Sequence, residues 1–194
     1  KAVADLEPLL NRSGYYVEVG RLPSRLADAL GVPVFDKSVA VRCLEFFAQQ
    51  HEGLVGEPLS DPQLRLLHLL LLITITDRNL QSADIRQVRD LRILPVVGGG
   101  LCAAGVGKNV YDVEAEFASA VRTCGLHALD PRLRALAHPK VAVLLQRLGV
   151  ERADGPGFFK QVLLPLLTRD EAPRVAELVE CTRAAMAFLG RLGS

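Results

Sequence analysis

The stretch Val96-Val97-Gly98-Gly99-Gly100-Leu101-Cys102-Ala103-Ala104-Gly105 has the residue types of a phosphate-binding loop. An apolar strand runs into Gly98-x-Gly100-x-x-Ala103, a variant of the fingerprint with which nucleotide and flavin domains cradle a pyrophosphate. That chemistry needs a full helix directly after the glycines, because the helix N-terminus holds the anion. Gly105 and Gly107 disfavour such a helix. The acidic residue at a suitable distance, Glu116, lies in a helical pattern and not at the end of a strand. Gly107-Lys108 does not complete a Walker A loop either. Asn109 stands where Ser or Thr would hold magnesium, and Cys102 stands in place of the leading glycine. Loop 98–105 therefore reads first as a mobile turn joining two strands of a small sheet, with glycine supplying positive φ. A nucleotide- or flavin-binding domain is kept as the alternative.

Other reactive side chains are sparse. Cys124-Gly125-Leu126-His127 has ligand spacing, but no second pair accompanies it, and a tetrahedral zinc site needs four ligands or three plus water. Cys43, Cys102, Cys124 and Cys181 are scattered without a CxxC and read as buried, reduced thiols. A nucleophilic Cys/His pair can be drawn from Cys43, Cys102 or Cys124 and His51, His68 or His138, but no spacing selects one. His68 sits in an apolar helical stretch and reads as a hydrogen-bonded core residue. Arg86, Arg89 and Arg92 recur at helical spacing beside Asp90, which describes a solvated face better than a phosphate clamp. No carboxylate pair stands out as general acid and base. No catalytic, cofactor-binding or metal-binding residue is assigned, and the chain reads as non-enzymatic with no cofactor.

The elements that would position these residues are mostly helices. Periodicity predicts helices over 3–10 and after Pro23-Ser24, the latter closed by Gly31. Asp36 reads as the cap of a helix with Val39, Ala40, Cys43, Leu44 and Phe47 on one face. Asp61-Pro62 opens a helix to about residue 76 that is apolar nearly all round, the mark of a buried central helix. Ser82 caps a shorter one. Further helices are predicted near 114–123, 139–148, 157–168 and 171–190, with a turn at Asp130-Pro131. The last helix has Thr168-x-x-Glu171 as a capping box and an inward stripe of Val175, Leu178, Val179, Thr182, Ala185, Met186 and Leu189. Short strands are expected near 15–19, 92–97 and 109–113. The fold class is thus mainly α, a helical domain with a small β-element. The expected organisation is 1–124, holding the β-element and the apolar central helix, and 125–194, a C-terminal helical region, or one continuous domain. The boundary is read at the loop 125–138.

Composition narrows the function classes. There are 23 Lys+Arg against 22 Asp+Glu, so no strong field draws the chain to nucleic acid or an anionic membrane. Aromatics are 5% with no Trp, which argues against a stacking platform for single strands. The longest apolar stretch, 66–75, is too short to span a bilayer. The hydrophobic fraction, 49%, is rich for a free-standing monomer and predicts burial against other parts of a larger molecule. The chain begins at Lys1 with no leader pattern, and reads as a fragment, a processed chain or part of something longer.

Two stretches repeat at an offset of 118 residues. Leu26, Leu30, Gly31, Val32 and Asp36 recur identically as Leu144, Leu148, Gly149, Val150 and Asp154, and Val41 and Leu44 recur in kind as Phe159 and Val162. The shared logic is a helix ending on glycine, a valine folding back on its last turn, and an aspartate capping the next helix. This reads as an internal repeat of a structural corner.

The order of parts resembles a known family. A Leu-Gly-Val corner, a long apolar helix, Leu91-Arg92-Ile93-Leu94-Pro95-Val96-Val97-Gly98-Gly99, Asn109-Val110-Tyr111, and then Leu148-Gly149-Val150 leading to Gln161-Val162-Leu163-Leu164-Pro165-Leu166-Leu167 follow one another. This is similar to the internal repeated regions of the very large sacsin and plant NO VEIN proteins, outside their ATPase domain. The chain departs from that pattern at Gly98-Gly99-Gly100, where a polar residue plus Gly usually ends the strand. The resemblance implies a non-catalytic helical region of a large intracellular scaffold or chaperone-like protein, in cytoplasm or nucleus. It implies no ATP hydrolysis by this chain. The expected partners are proteins or other regions of the same large chain, not nucleic acid or membrane. A structural subunit of a large assembly is the further alternative.

Overall fold

The computed structural model describes residues 37–53, 56–76, 81–105, 110–136, 138–168 and 173–192. The helices predicted before residue 37, the strand at 15–19, the corner Leu30-Gly31-Val32 and the cap Asp36 lie outside them. The fold is mainly α-helical with a small β-element.

Helix α1 (Lys37–Gln50) buries Ala40, Cys43, Leu44 and Phe47, an i, i+3, i+4, i+7 stripe. Helix α2 (Asp61–Thr76) lies against it with Leu64, Leu67, Leu70, Leu71 and Thr74 fully buried, so it is the central buried helix its composition predicts. Its polar cap is Ser60 and not Asp61. The Ser60 N–H and hydroxyl both donate to Gln63 Oε1 at 2.8 Å, which leaves Asp61 inside the first turn. Helix α3 (Ser82–Asp90) likewise starts one residue early. Gln81 is its N-cap, and the Asp84 carboxylate accepts the Gln81 N–H.

Strand β1 (Leu94–Pro95) pairs antiparallel with β2 (Leu101–Cys102). The predicted strand at 92–97 is therefore shorter, and its partner lies inside the glycine loop and not at 109–113. The 109–113 segment is β3 (Val110–Val113), the centre of a parallel sheet ordered β4-β3-β5. Helix α4 (Ala115–Thr123) connects β3 to β4 (His127–Ala128). Two helices, α5 (Pro131–Leu136) and α6 (Pro139–Leu148), precede β5 (Glu151–Ala153). Strands of two or three residues, one of them reading Glu-Arg-Ala, show no alternation, which is why β2, β4 and β5 left no signal. Residues 125–138, read as a boundary loop, carry β4 and α5. Asp130-Pro131 is a helix start and not a free turn, because Asp130 accepts the Arg132 N–H at 2.9 Å and its carboxylate grips the Arg132 guanidinium.

The chain continues through α7 (Gly155–Phe158), a π-helical turn (Phe159–Leu163) and α8 (Leu164–Thr168) to α9 (Val175–Leu192). Thr168 does not cap α9: its hydroxyl donates back to the Leu164 carbonyl. The cap is Arg174, whose N–H donates to the Glu177 carboxylate.

Two clusters of buried apolar side chains hold these elements. The first gathers α1, α2, α3, the hairpin, Leu133 and α6. The second gathers β3, α4, α7, the π turn, α8 and α9 around the stacked rings of Phe117 and Phe158, 4.5 Å apart. Membership crosses residue 125 in both directions. Strand β3 itself divides, with Val110 in the first cluster and Tyr111 and Val113 in the second.

Candidate functional site

The glycine loop is the turn of the β1–β2 hairpin. Gly98, Gly99 and Gly100 hold φ of 95°, 90° and 90°, the left-handed region where glycine has no penalty. The Val96 N–H donates to the Gly100 carbonyl at 3.3 Å, and the Gly99 N–H donates to the Val96 carbonyl at 3.1 Å. Gly100 N–H donates to the Glu57 carbonyl at 3.0 Å, which seats the turn on the chain before α2. A Cβ on Gly99 would lie 2.4 Å from the Gly56 carbonyl, so only glycine fits there. Residues 103–105 are not helical and β3 begins at Val110. The strand that feeds a β-helix-β unit is β3, and it enters α4 through Glu114 without glycines. Loop 98–105 therefore lacks the helix N-terminus that a pyrophosphate would use.

The arginine row serves the same hairpin. Arg89 Nε donates to the Ala104 carbonyl at 3.1 Å, and Ala104 N–H donates to the Arg89 carbonyl. Arg92 donates through Nε and Nη2 to the Leu101 carbonyl. Of the row read as a solvated face, Arg86 and Arg92 are exposed and Arg89 is half-buried, and Arg89 and Arg92 also brace backbone carbonyls.

The histidines are structural as well. His51 is buried, stacks on Phe47 and donates from Nδ1 to the Phe47 carbonyl at 2.7 Å, while its Nε2 accepts from Gln63. That chain of bonds ties the end of α1 to the cap of α2. His68 is half-buried, and its Nε2 accepts the His138 N–H at 3.0 Å, at the start of α6. Burial, with the neighbouring His138 second, lowers the His68 pKa. His138 in turn caps α6 by accepting the Lys140 N–H.

Asp112 lines a small, partly enclosed space. It faces Arg152 across β5 and lies 3.5 Å from Arg134. Burial raises its pKa, and the two guanidinium groups oppose that rise. The cavity there, also lined by Leu129, Leu145 and Val150, holds about 70 Å³. Cofactor sites run to roughly 300 Å³ or more, so this space admits water and not a dinucleotide or flavin. Among the described residues, no group of three His, Cys, Asp or Glu side chains could hold a metal ion.

Cys124 and His127 have different partners. Cys124 ends α4, and its Sγ lies 3.7 Å from Sγ of Cys181 on α9. His127 pairs in the sheet beside Val110. The thiol pair escaped sequence reading because its members stand 57 residues apart. Cys43 and Cys102 are buried in the other cluster.

The largest departure from expectation is the orientation of α9. Its inward line is Glu177, Cys181, Ala184 and Phe188, not the stripe of larger aliphatics. Small side chains let α9 lie close along α4, where Ser119 donates to Glu180, and the Phe188 ring covers Gly155. Most of the predicted stripe faces outward, with Val175 78%, Val179 48%, Met186 65% and Leu189 55% exposed, while Leu178 lies at its edge and Ala185 is half-buried. Val175, Val179, Thr182, Met186 and Leu189 follow a 4-3-4-3 spacing, the seam with which helices pair. Pro156, Phe159, Lys160, Leu163, Leu164 and Leu167 line a separate, open and mostly apolar groove.

Compared with known proteins, the chain matches no family model, no curated protein and no solved structure. No described helix is long and apolar enough to cross a membrane.

Proposed function

We propose that this chain is a non-catalytic contact segment of a larger scaffold or chaperone-like protein, and that the outer ridge of α9 receives an amphipathic helix. The observation that carries this reading is the exposed 4-3 seam of Val175, Val179, Thr182, Met186 and Leu189. Such a ridge is costly to leave in water, since apolar burial is worth roughly 25 cal/mol per Å². The charges beside it, Arg183 and Glu180, pair within the helix and leave the seam uncharged. The fitting occupant is therefore a helix with its own aliphatic stripe, from a partner protein or another region of a longer chain. The Leu-Gly-Val corner and the resemblance to sacsin and NO VEIN repeats support an intracellular scaffold setting.

The test uses a fluorescein-labelled three-heptad peptide with leucine at the seam positions. Saturable binding is expected, weakened roughly tenfold or more by Val179→Lys with Met186→Lys. Circular dichroism should leave that variant's helix content unchanged. Absence of binding, or binding indifferent to these substitutions, would sink the reading. Self-association lost on the same substitutions would replace the partner helix by a second copy.

A further inference from the structure

We infer that Cys124 and Cys181 form a reversible disulfide that fastens α9 to α4, with an organic or hydrogen peroxide as the oxidant. The two sulfurs already touch at 3.7 Å, and a disulfide needs about 2.05 Å. Small side-chain rotations close that difference, because α4 and α9 pack lengthwise and the Ser119–Glu180 hydrogen bond holds them near the pair. The two thiols differ in access. Cys124 is half-buried at the end of α4, while Cys181 is 1% exposed. The peroxide therefore meets Cys124 first. Burial raises the Cys181 thiol pKa, opposed by its hydrogen bond to Cys124 and reinforced by Glu177 and Glu180, so Cys181 stays a thiol until Cys124 is oxidised beside it.

The sequence of bonds balances. The Cys124 thiolate attacks the outer oxygen of the peroxide, the O–O bond breaks, and an alcohol or water leaves after taking up a proton. Cys124 is then a sulfenic acid. The Cys181 sulfur attacks the Cys124 sulfur, the S–O bond breaks, and the departing hydroxide takes the Cys181 proton as water. Two thiols lose two electrons, and the peroxide bond gains them. A thiol reductant reverses the link.

The inference is independent of what binds the α9 ridge. One equivalent of hydrogen peroxide should remove the mass of two hydrogens from the intact chain. Peptide mapping without reductant should join the segment holding Cys124 to that holding Cys181. The oxidised protein should melt roughly 10 °C higher, because the bond closes a long loop, and dithiothreitol should erase the shift. In Cys181→Ser, Cys124 should stop at the sulfenic acid and be captured by dimedone. Should that variant not fold, the map of the parent protein decides alone. Linkage through Cys43 or Cys102, a sulfinic acid on Cys124 beside an intact Cys181 thiol, or no mass change at all overturns the inference.

Discussion

The Nε2 atom of His68 does structural work that depends on its protonation state. It accepts the His138 N–H, a donor at the start of α6 with no acceptor inside the helix, and an imidazolium has no lone pair to offer there. The fold holds the His68 pKa below its ordinary 6.5. The unfolded chain thus binds the proton more readily, and stability rises with pH across this window. The contribution is complete above about pH 6.5 and is lost as pH falls through the depressed folded value. His68→Gln keeps an acceptor and cannot titrate. Its melting temperature should fall less than the parent's between about pH 7 and pH 5, by about 1–2 °C for so solvent-accessible a group. Equal slopes for the two proteins would remove His68 from the acid response. His68, read as a hydrogen-bonded core residue, is hydrogen-bonded but only half-buried, and its partner lies 70 residues away with no local mark.

At the level of elements, α9 shows where periodicity misleads. The hydrophobic stripe identified a helix and its seam, but not which side the seam faces. Small residues at 181 and 184 allow α4 to approach, and close approach decided the inward face. Ala184→Leu should therefore overpack the α4 contact and cost about 1–3 kcal/mol in urea unfolding. Met186→Gln, on the apolar but exposed face, should change stability by less than about 0.5 kcal/mol. The reverse ranking would mean that α9 is turned the other way. Helix ends were legible only in part. The caps read at Asp61, Ser82 and Thr168 fall instead on Ser60, Gln81 and Arg174, whereas Gly149 closes α6 as its type demands, left-handed at φ 101°. The second Leu-Gly-Val corner folds as read: the Val150 N–H returns to the Leu145 carbonyl, and Asp154 caps α7 by accepting the Gly157 N–H.

For the whole molecule, the interleaving of the two clusters has a thermodynamic consequence. Strand β3 contributes to both, and the turn from α6 into β5 passes from Val150 in the first to Ala153 in the second. Neither cluster can lose its packing without disturbing a strand that the other needs. Leu67→Ala should cost about 2–5 kcal/mol and Phe117→Ala about 3–5 kcal/mol. In either variant, methyl NMR signals of Leu144 and Val121, one in each cluster, should vanish at the same urea concentration. Signals that separate, with only the mutated cluster melting early, would show two independent folding units.

Among the described residues, the sequence by itself determined the places of α1, α2, α3, α4, α6 and α9, the buried character of α2, the glycine corner before β5 and the lack of a helix directly after the glycines of loop 98–105. These follow from local rules: period, capping chemistry and the conformations open to glycine and proline. Tertiary structure alone decided the pairing of strands too short to alternate, the bracing of the hairpin by Arg89 and Arg92, the meeting of Cys124 with Cys181, and the outward face of α9. Each of these depends on contacts between residues distant in the chain, and their free energy comes from shape and proximity that no local pattern encodes.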